Sequence, residues 1–181
     1  MSKKELKLHA VVSPTETVVV SAYDENGKAE ACTLAFYMVS SHIPPCVTIA
    51  INAAQRRKTL AAMLQRKAFV LGIPSIDQVK EADYLGVESG YNTDKIRNIG
   101  FTTTEAKTVH APVINELPLS LECEIVHKGL KQRQRVVILY GIALRLCFVL
   151  SVGNLMLTAE LREVDAIQLL QQSAQQFCII A

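Results

Sequence analysis

The sequence predicts a mainly β chain: a closed antiparallel, Greek-key-like barrel with helices inserted at its middle. Three observations carry that prediction. Short runs rich in Val, Ile and Thr recur towards both ends of the chain. Asn26-Gly27 gives a strong hairpin signal between two of them, and helical periodicity is confined to the middle.

The first strand falls within Val11 to Tyr23, where Thr17-Val18-Val19-Val20 is β-branched and Pro14 keeps the start out of a central ladder. Asp24-Glu25-Asn26-Gly27 makes the turn, and a return strand covers Glu30 to about Tyr37. Pro44-Pro45 then launches a strand at Val47 to Ile51. Thr59 to Lys67 carries Leu60, Met63 and Leu64 on one helical face, and Phe69 to Ile73 reads as a buried strand. Ser75 and Gln78 have capping-box spacing, and a second short helix starts near Asn92-Thr93-Asp94 and stops at Gly100. Thr102 to His110 reads as surface loop. In the strand from Leu119 to Val126, Leu119, Leu121, Cys123 and Ile125 face one way and Ser120, Glu122 and Glu124 the other. Val136 to Leu146 supplies a further strand. With no repeat and no linker, residues 1–181 read as a single domain.

Composition narrows the function classes. Half of the 181 residues are hydrophobic and a fifth are charged, as in a globular protein with a sizeable core. Nineteen Lys and Arg against 17 Asp and Glu leave a net charge of +2, too balanced for nucleic acid to be the main partner. The five cysteines are odd in number and lack metal or redox spacing, which suggests reduced thiols in the cytoplasm. Met1-Ser2-Lys3-Lys4-Glu5 is polar and is not followed by an apolar signal region. Val136 to Leu157 is apolar enough to raise the question of a membrane span. Arg145 at its middle costs about 2.5–3.5 kcal/mol on insertion, and the run is rich in strand formers, so no membrane partner is expected.

The stretch from Ala31 to Thr59 carries the functional signal. Arg56-Arg57-Lys58-Thr59 stands at a helix start, where open backbone N–H groups and the positive end of the dipole suit a phosphate. Arg gives a forked donor, Lys a point charge and Thr a hydroxyl. A solvated basic helix start is the bland reading, but without an anion basic residues oppose the dipole there, which favours a phosphate. Thr33-Leu34-Ala35 and Ser40-Ser41 offer small side chains that a flat ring could approach, although taken alone ordinary β-structure followed by a turn explains them better. There is no Gly-x-Gly-x-x-Gly, Walker or Gly-x-Ser-x-Gly pattern. The four histidines share no metal spacing, and Cys32 reads as a structural strand cysteine. Asp83-Tyr84 and Tyr91 flank Gly86-Val87-Glu88-Ser89-Gly90, either a plain surface loop or a mobile one whose Tyr closes over a ring.

These segments, in this order, resemble the flavin reductase-like family with the FMN-binding split β-barrel, in its flavoredoxin-type branch. The resemblance rests on Val18 to Lys28, Thr33-Leu34-Ala35, Ser40 to Pro45, Ile49-Ala50-Ile51 and Arg57-Lys58-Thr59-Leu60. It continues through Asp83 to Gly90, Thr93-Asp94-Lys95, Ala111 to Ile114 and Leu121-Glu122-Cys123. It spans about residues 10–128, and residues 128–181 diverge, with an apolar Phe148 to Leu157 and a Gln-rich end. The resemblance implies FMN at a homodimer interface. The backbone of Thr33, Leu34, Ala35, Ser40 and Ser41 would lie against the ring, Ile51 would also belong to the cofactor site, and Arg57 and Thr59 would hold the phosphate with Lys58 as helper. It implies an oxidoreductase passing electrons from NAD(P)H or a protein donor through FMN, with no side chain required as acid or base. Two alternatives stay open: a non-catalytic FMN electron carrier, and a split-barrel binding protein that has lost the flavin.

Overall fold

In the computed structural model the described residues are 16–131, 136–152 and 155–161. Strand β1 (Val18–Tyr23) turns through Asp24 to Lys28 into β2 (Ala29–Leu34), with Val20 opposite Cys32. The turn forms because Asp24 Oδ1 accepts from the Asn26 and Lys28 N–H groups, each at 2.9 Å. Gly27 at φ 77° supplies the left-handed residue the turn needs. After Ala35-Phe36 come β3 (Tyr37–His42) and β4 (Pro45–Asn52), paired antiparallel with an irregularity between Val39 and Ser41. A short 3-10 turn, Ala53–Gln55, leads into helix α1 (Lys58–Arg66) and strand β5 (Ala68–Ile73). Helices α2 (Val79–Val87) and α3 (Lys95–Asn98) follow, then β6 (Thr103–Glu105) and β7 (Pro112–Ile114). The chain continues with β8 (Leu119–Lys131), β9 (Val136–Val152) and β10 (Leu155–Leu161).

The main sheet runs β2-β1-β5-β8-β9-β4-β3, with β10 added to β9, and every pairing is antiparallel. This is the mainly β, helix-inserted architecture predicted. The closed barrel is corrected, however: β2 and β3 end the path, and no ladder between them closes it among the described residues. The expected return strand from Glu30 to Tyr37 is likewise divided. Leu34 ends β2, and the backbone redirects at Ala35-Phe36 so that the Phe36 carbonyl accepts from Ala50 N at 2.9 Å.

Alternation on β1 and β2 serves two cores. Val18, Val20, Cys32 and Leu34 pack with Leu60 and Met63 of α1 and with Ile49, Ile51, Phe69, Leu71, Cys123 and Leu139. Val19 and Ala31 point the other way, onto Leu85 of α2, Ile96 of α3, Ile114 and Leu117. A strand covered on both faces shows apolar residues at successive positions, which is why Thr17 to Val20 is a continuous β-branched run.

The 102–110 segment differs from the expected loop. Thr103–Glu105 pairs with Pro112–Ile114, and Ala106 and Ala111 pack on Ala68 and Val70. That cover buries the second face of β8, so Ser120 and Glu122 are as enclosed as Cys123. Glu122 Oε1 accepts from Arg145 at 2.7 Å, while Oε2 accepts from the Thr108 N–H at 2.7 Å and hydroxyl at 2.6 Å. Arg145 is therefore a cross-strand partner, opposite Glu122 in the β8–β9 register. The apolar 136–157 run around it is largely β9 and the start of β10. No helix among the described residues is long and apolar enough to cross a membrane. The Gln-rich tail beyond residue 161 lies outside the described residues.

Candidate functional site

Helix α1 starts beside β2 and α2, which its first residues meet at Glu30 and Gly86. Arg56 ends the preceding turn in the left-handed region, φ 44°, with its N–H bonded to the Ala53 carbonyl at 3.2 Å. A non-glycine residue held there is strained, and the strain sits next to the basic run. Arg57 is the N-cap of α1, and its side chain makes no cap bond. Instead its Nη1 donates to the Gly86 carbonyl at 3.0 Å and its Nε to Gln55 Oε1 at 3.1 Å. The guanidinium is thus held in place while part of its donor fork stays open.

Lys58 turns away from Arg57. Its Nζ lies 2.9 Å from Asp24 Oδ2 and 2.8 Å from Glu30 Oε1, and both carboxylates are buried. The hydrogen bond it donates to Glu30 foremost, and Asp24 beside it, raise the Lys58 pKa above the ordinary lysine value despite burial. Burial alone would raise the Asp24 carboxyl. Bonds from Lys58 and from the Lys28 and Asn26 N–H groups prevail and hold it below its usual value. Thr59 is 1% exposed, and its side chain bonds to Cys32, whose thiol pKa burial pushes up.

The other expected residues divide into two groups. Thr33, the penultimate residue of β2, is half-buried, and its hydroxyl donates to the Ala82 carbonyl of α2, so it ties the strand to the helix that also receives Arg57. Leu34 is buried in the main core and Ala35 is exposed. Ser40 and Ser41 lie on β3 at its irregularity, Ser40 exposed and Ser41 half-buried, with no hydrogen bond tying either side chain to the α1 group. Ile51 is a core residue of β4, 1% exposed and opposite Val137. The structure therefore gathers Thr33, Arg57, Lys58 and Thr59 around α1, while Ser40-Ser41 stand apart on the edge strand.

Lys95 is a residue the sequence reasoning left unassigned. It follows the Asp94 N-cap of α3, is 4% exposed, and donates to the Leu85 carbonyl at 3.0 Å. Burial lowers its pKa below the ordinary lysine value, and the charge of Arg57 adds to that lowering. A buried ammonium and a half-buried guanidinium set near one another make a region suited to an anion. The available signal was periodicity: Lys95 stands beside Ile96 at the inward face of a capped turn. Tyr84 meets Asn98 Nδ2 at 3.0 Å, and Tyr91 is exposed. No cluster of His, Cys, Asp and Glu among the described residues has the makings of a metal site.

This frame can be set beside known proteins. The model of the flavin reductase like domain matches residues 11–156. The chain belongs to the flavin reductase-like family. Flavoredoxin of Desulfovibrio vulgaris superposes with a TM-score of 0.74 at 22% identity, covering 89% of this chain and 94% of that one. A flavoredoxin from Methanosarcina acetivorans gives 0.73 at 19%, covering 90% and 92%. An FMN-binding protein from Thermus thermophilus gives 0.68 at 17%, covering 90% and 95%. At those identities the likeness shows the split-barrel fold alone. In sequence, an uncharacterized protein of Aeropyrum pernix is 29% identical over 120 residues, 66% of this chain and 44% of its own. One from Archaeoglobus fulgidus is 28% identical over 99 residues, 55% of each. The chain spans about half the length of these relatives.

Proposed function

We propose that this flavin reductase-like protein binds FMN at the start of α1 and serves as an FMN-dependent oxidoreductase. The observation that carries the reading is Arg57. Its guanidinium is fixed at a helix start by Gly86 and Gln55, beside the buried Lys95, in the arrangement a phosphate group needs. Arg57 and Thr59 hold the phosphate, with Lys58 at the same end of the site. Thr33, Leu34 and Ala35 offer the backbone edge for the ring, Ser40 and Ser41 its outer rim, and Ile51 the apolar floor behind. FMN, when bound, supplies the redox chemistry, taking electrons from NAD(P)H or a protein donor. The chain's own residues bind and orient it and need transfer no proton.

The same reading includes a homodimer and a cytoplasmic location. Met38, Thr48 and Tyr140 stand opposite one another across β3, β4 and β9, and Tyr140 stands opposite His127 on β8. Met38 is 60% exposed, and the Thr48 hydroxyl is buried without a partner. A second copy laid on this face would cover apolar area that water now meets. Light scattering should give twice the chain mass, falling to one in Met38→Asp; a wild-type monomer at micromolar concentration would refute the dimer.

The decisive test of function is the visible spectrum after FMN loading and removal of excess. Retained flavin bleached by NADH or NADPH supports the oxidoreductase. Retained flavin bleached only by dithionite makes the protein an electron carrier instead. No retained or titratable flavin removes the cofactor from the proposal.

A further inference from the structure

The three cations of Arg56-Arg57-Lys58 are adjacent in sequence but not in role. Lys58 lies between two carboxylates, Asp24 at 2.9 Å and Glu30 at 2.8 Å, which are 4% and 2% exposed. One ammonium between two carboxylates leaves this triplet with a formal charge of −1. It therefore does not attract an anion. The segment after α2 seals it: a Cβ built on Gly90 would come within 2.2 Å of Glu30 Oε2 and 3.5 Å of Lys58 Cβ. Withdrawing Lys58 towards a phosphate would leave two buried carboxylates uncompensated, which is strongly unfavourable.

The triplet also lies on a line of anchors. Asp24 is the first residue of the β1–β2 turn, and its backbone carbonyl accepts from Arg66 Nη2 at 2.6 Å, at the far end of α1. The helix is thus tied to one hairpin at both ends, through Lys58 in its first turn and Arg66 in its last. No acidic residue stands in that first turn to favour the dipole, so Asp24 and Glu30, reaching across from the hairpin, supply the missing negative charge.

Building on the FMN reading, we infer that Lys58 is a positioning residue and not a phosphate ligand: the Asp24–Lys58–Glu30 triplet locks α1 to the β1–β2 hairpin and so places Arg57 and Thr59. The two roles predict opposite signs for one substitution. Were Lys58 a ligand, Glu30→Gln would release it and remove a negative charge, and FMN would bind as tightly or more tightly. As a clamp, Glu30→Gln loosens the helix start and weakens FMN binding.

The test is FMN titration by fluorescence quenching at several salt concentrations, on wild type, Glu30→Gln, Lys58→Met and the double variant. The clamp predicts about tenfold weaker binding in each single variant, a double variant no worse than Lys58→Met, and an unchanged salt slope. Unchanged or tighter binding in Glu30→Gln, or a shallower salt slope in Lys58→Met, would overturn it. Lys58→Arg, which retains charge and reach, should restore affinity, whereas a merely structural residue would move Tm and leave the flavin affinity of the folded protein alone. Should Lys58→Met fail to fold, Glu30→Gln carries the sign test by itself. Amide hydrogen exchange without flavin separates this claim from the FMN reading. Faster exchange at 24–30 and 57–61 in Glu30→Gln supports the clamp even if no flavin binds, and unaltered exchange refutes it.

Discussion

Two buried ion-pair groups stand out among the described residues, and they differ in what they hold. On the outer face of β8, Glu122 meets Arg145 and the N–H and hydroxyl of Thr108, joining β8 and β9 and pinning the 106–111 cover. At the start of α1, Asp24 and Glu30 share Lys58 and pin a helix whose N-cap is Arg57. In the first group Glu122 joins Arg145 of β9 and Thr108 of the 106–111 cover, none of them in the basic run. The second is short of positive charge and lies against the residues proposed to meet an anion. The contrast teaches that burial of a charged group does not by itself mark a site. What distinguishes the second is the half-buried, partly open guanidinium beside it.

That contrast can be broken by substitution. Arg145→Met leaves Glu122 buried with only Thr108 and its neighbours, which should cost about 3 kcal/mol of stability in urea unfolding. It should leave FMN affinity unchanged, and a loss of flavin binding in the folded variant would make the two groups one functional unit.

Acid sharpens the comparison further. Burial alone would raise the Glu122 carboxyl, but the Thr108 hydroxyl and N–H, Arg145 and the Lys107 N–H hold it below its ordinary value. Asp24 is likewise depressed. A depressed folded pKa contributes stability that is fully present above the unfolded carboxylate pKa, about 4, and is lost as pH falls through the folded value. Wild-type Tm should therefore hold level from neutral pH to about pH 5 and fall below about pH 4. Glu122→Gln should start lower and show a shallower acid limb; an acid limb as steep as that of the wild type would place the titration elsewhere.

The smallest effect belongs to the strand–helix tie. Thr33→Val removes the hydroxyl that donates to Ala82 and should cost about 1 kcal/mol. Loss of several times that amount would mean that α2 depends on this bond for its placement.

Much of this architecture was legible in the chain. Asn26-Gly27 marked the hairpin, the Leu60, Met63 and Leu64 stripe marked α1, and Asp94 with Gly100 bracketed α3, because each signal is local and satisfied within a few residues. The basic run was legible as well, since a helix start concentrates N–H groups wherever it occurs. What the sequence hid was long-range. Thr103–Glu105 became a strand because Pro112–Ile114 came beside it, and Glu122 was buried by that same cover, not by its own alternation. Lys58 looked identical to Arg57 as a cation, and only the fold shows Asp24 and Glu30, 34 and 28 residues earlier, closing on it. Lys95 stayed hidden because a lysine reads as surface unless something shows it turned inward.

The proposed site stands or falls on Arg57, the one cation of the run fixed in place yet still partly open. Titrating FMN into wild type and Arg57→Ala at matched salt measures its share. We expect a Kd about tenfold or more higher in the variant, with Tm little changed. Equal Kd values in two folded proteins would remove the phosphate from the start of α1.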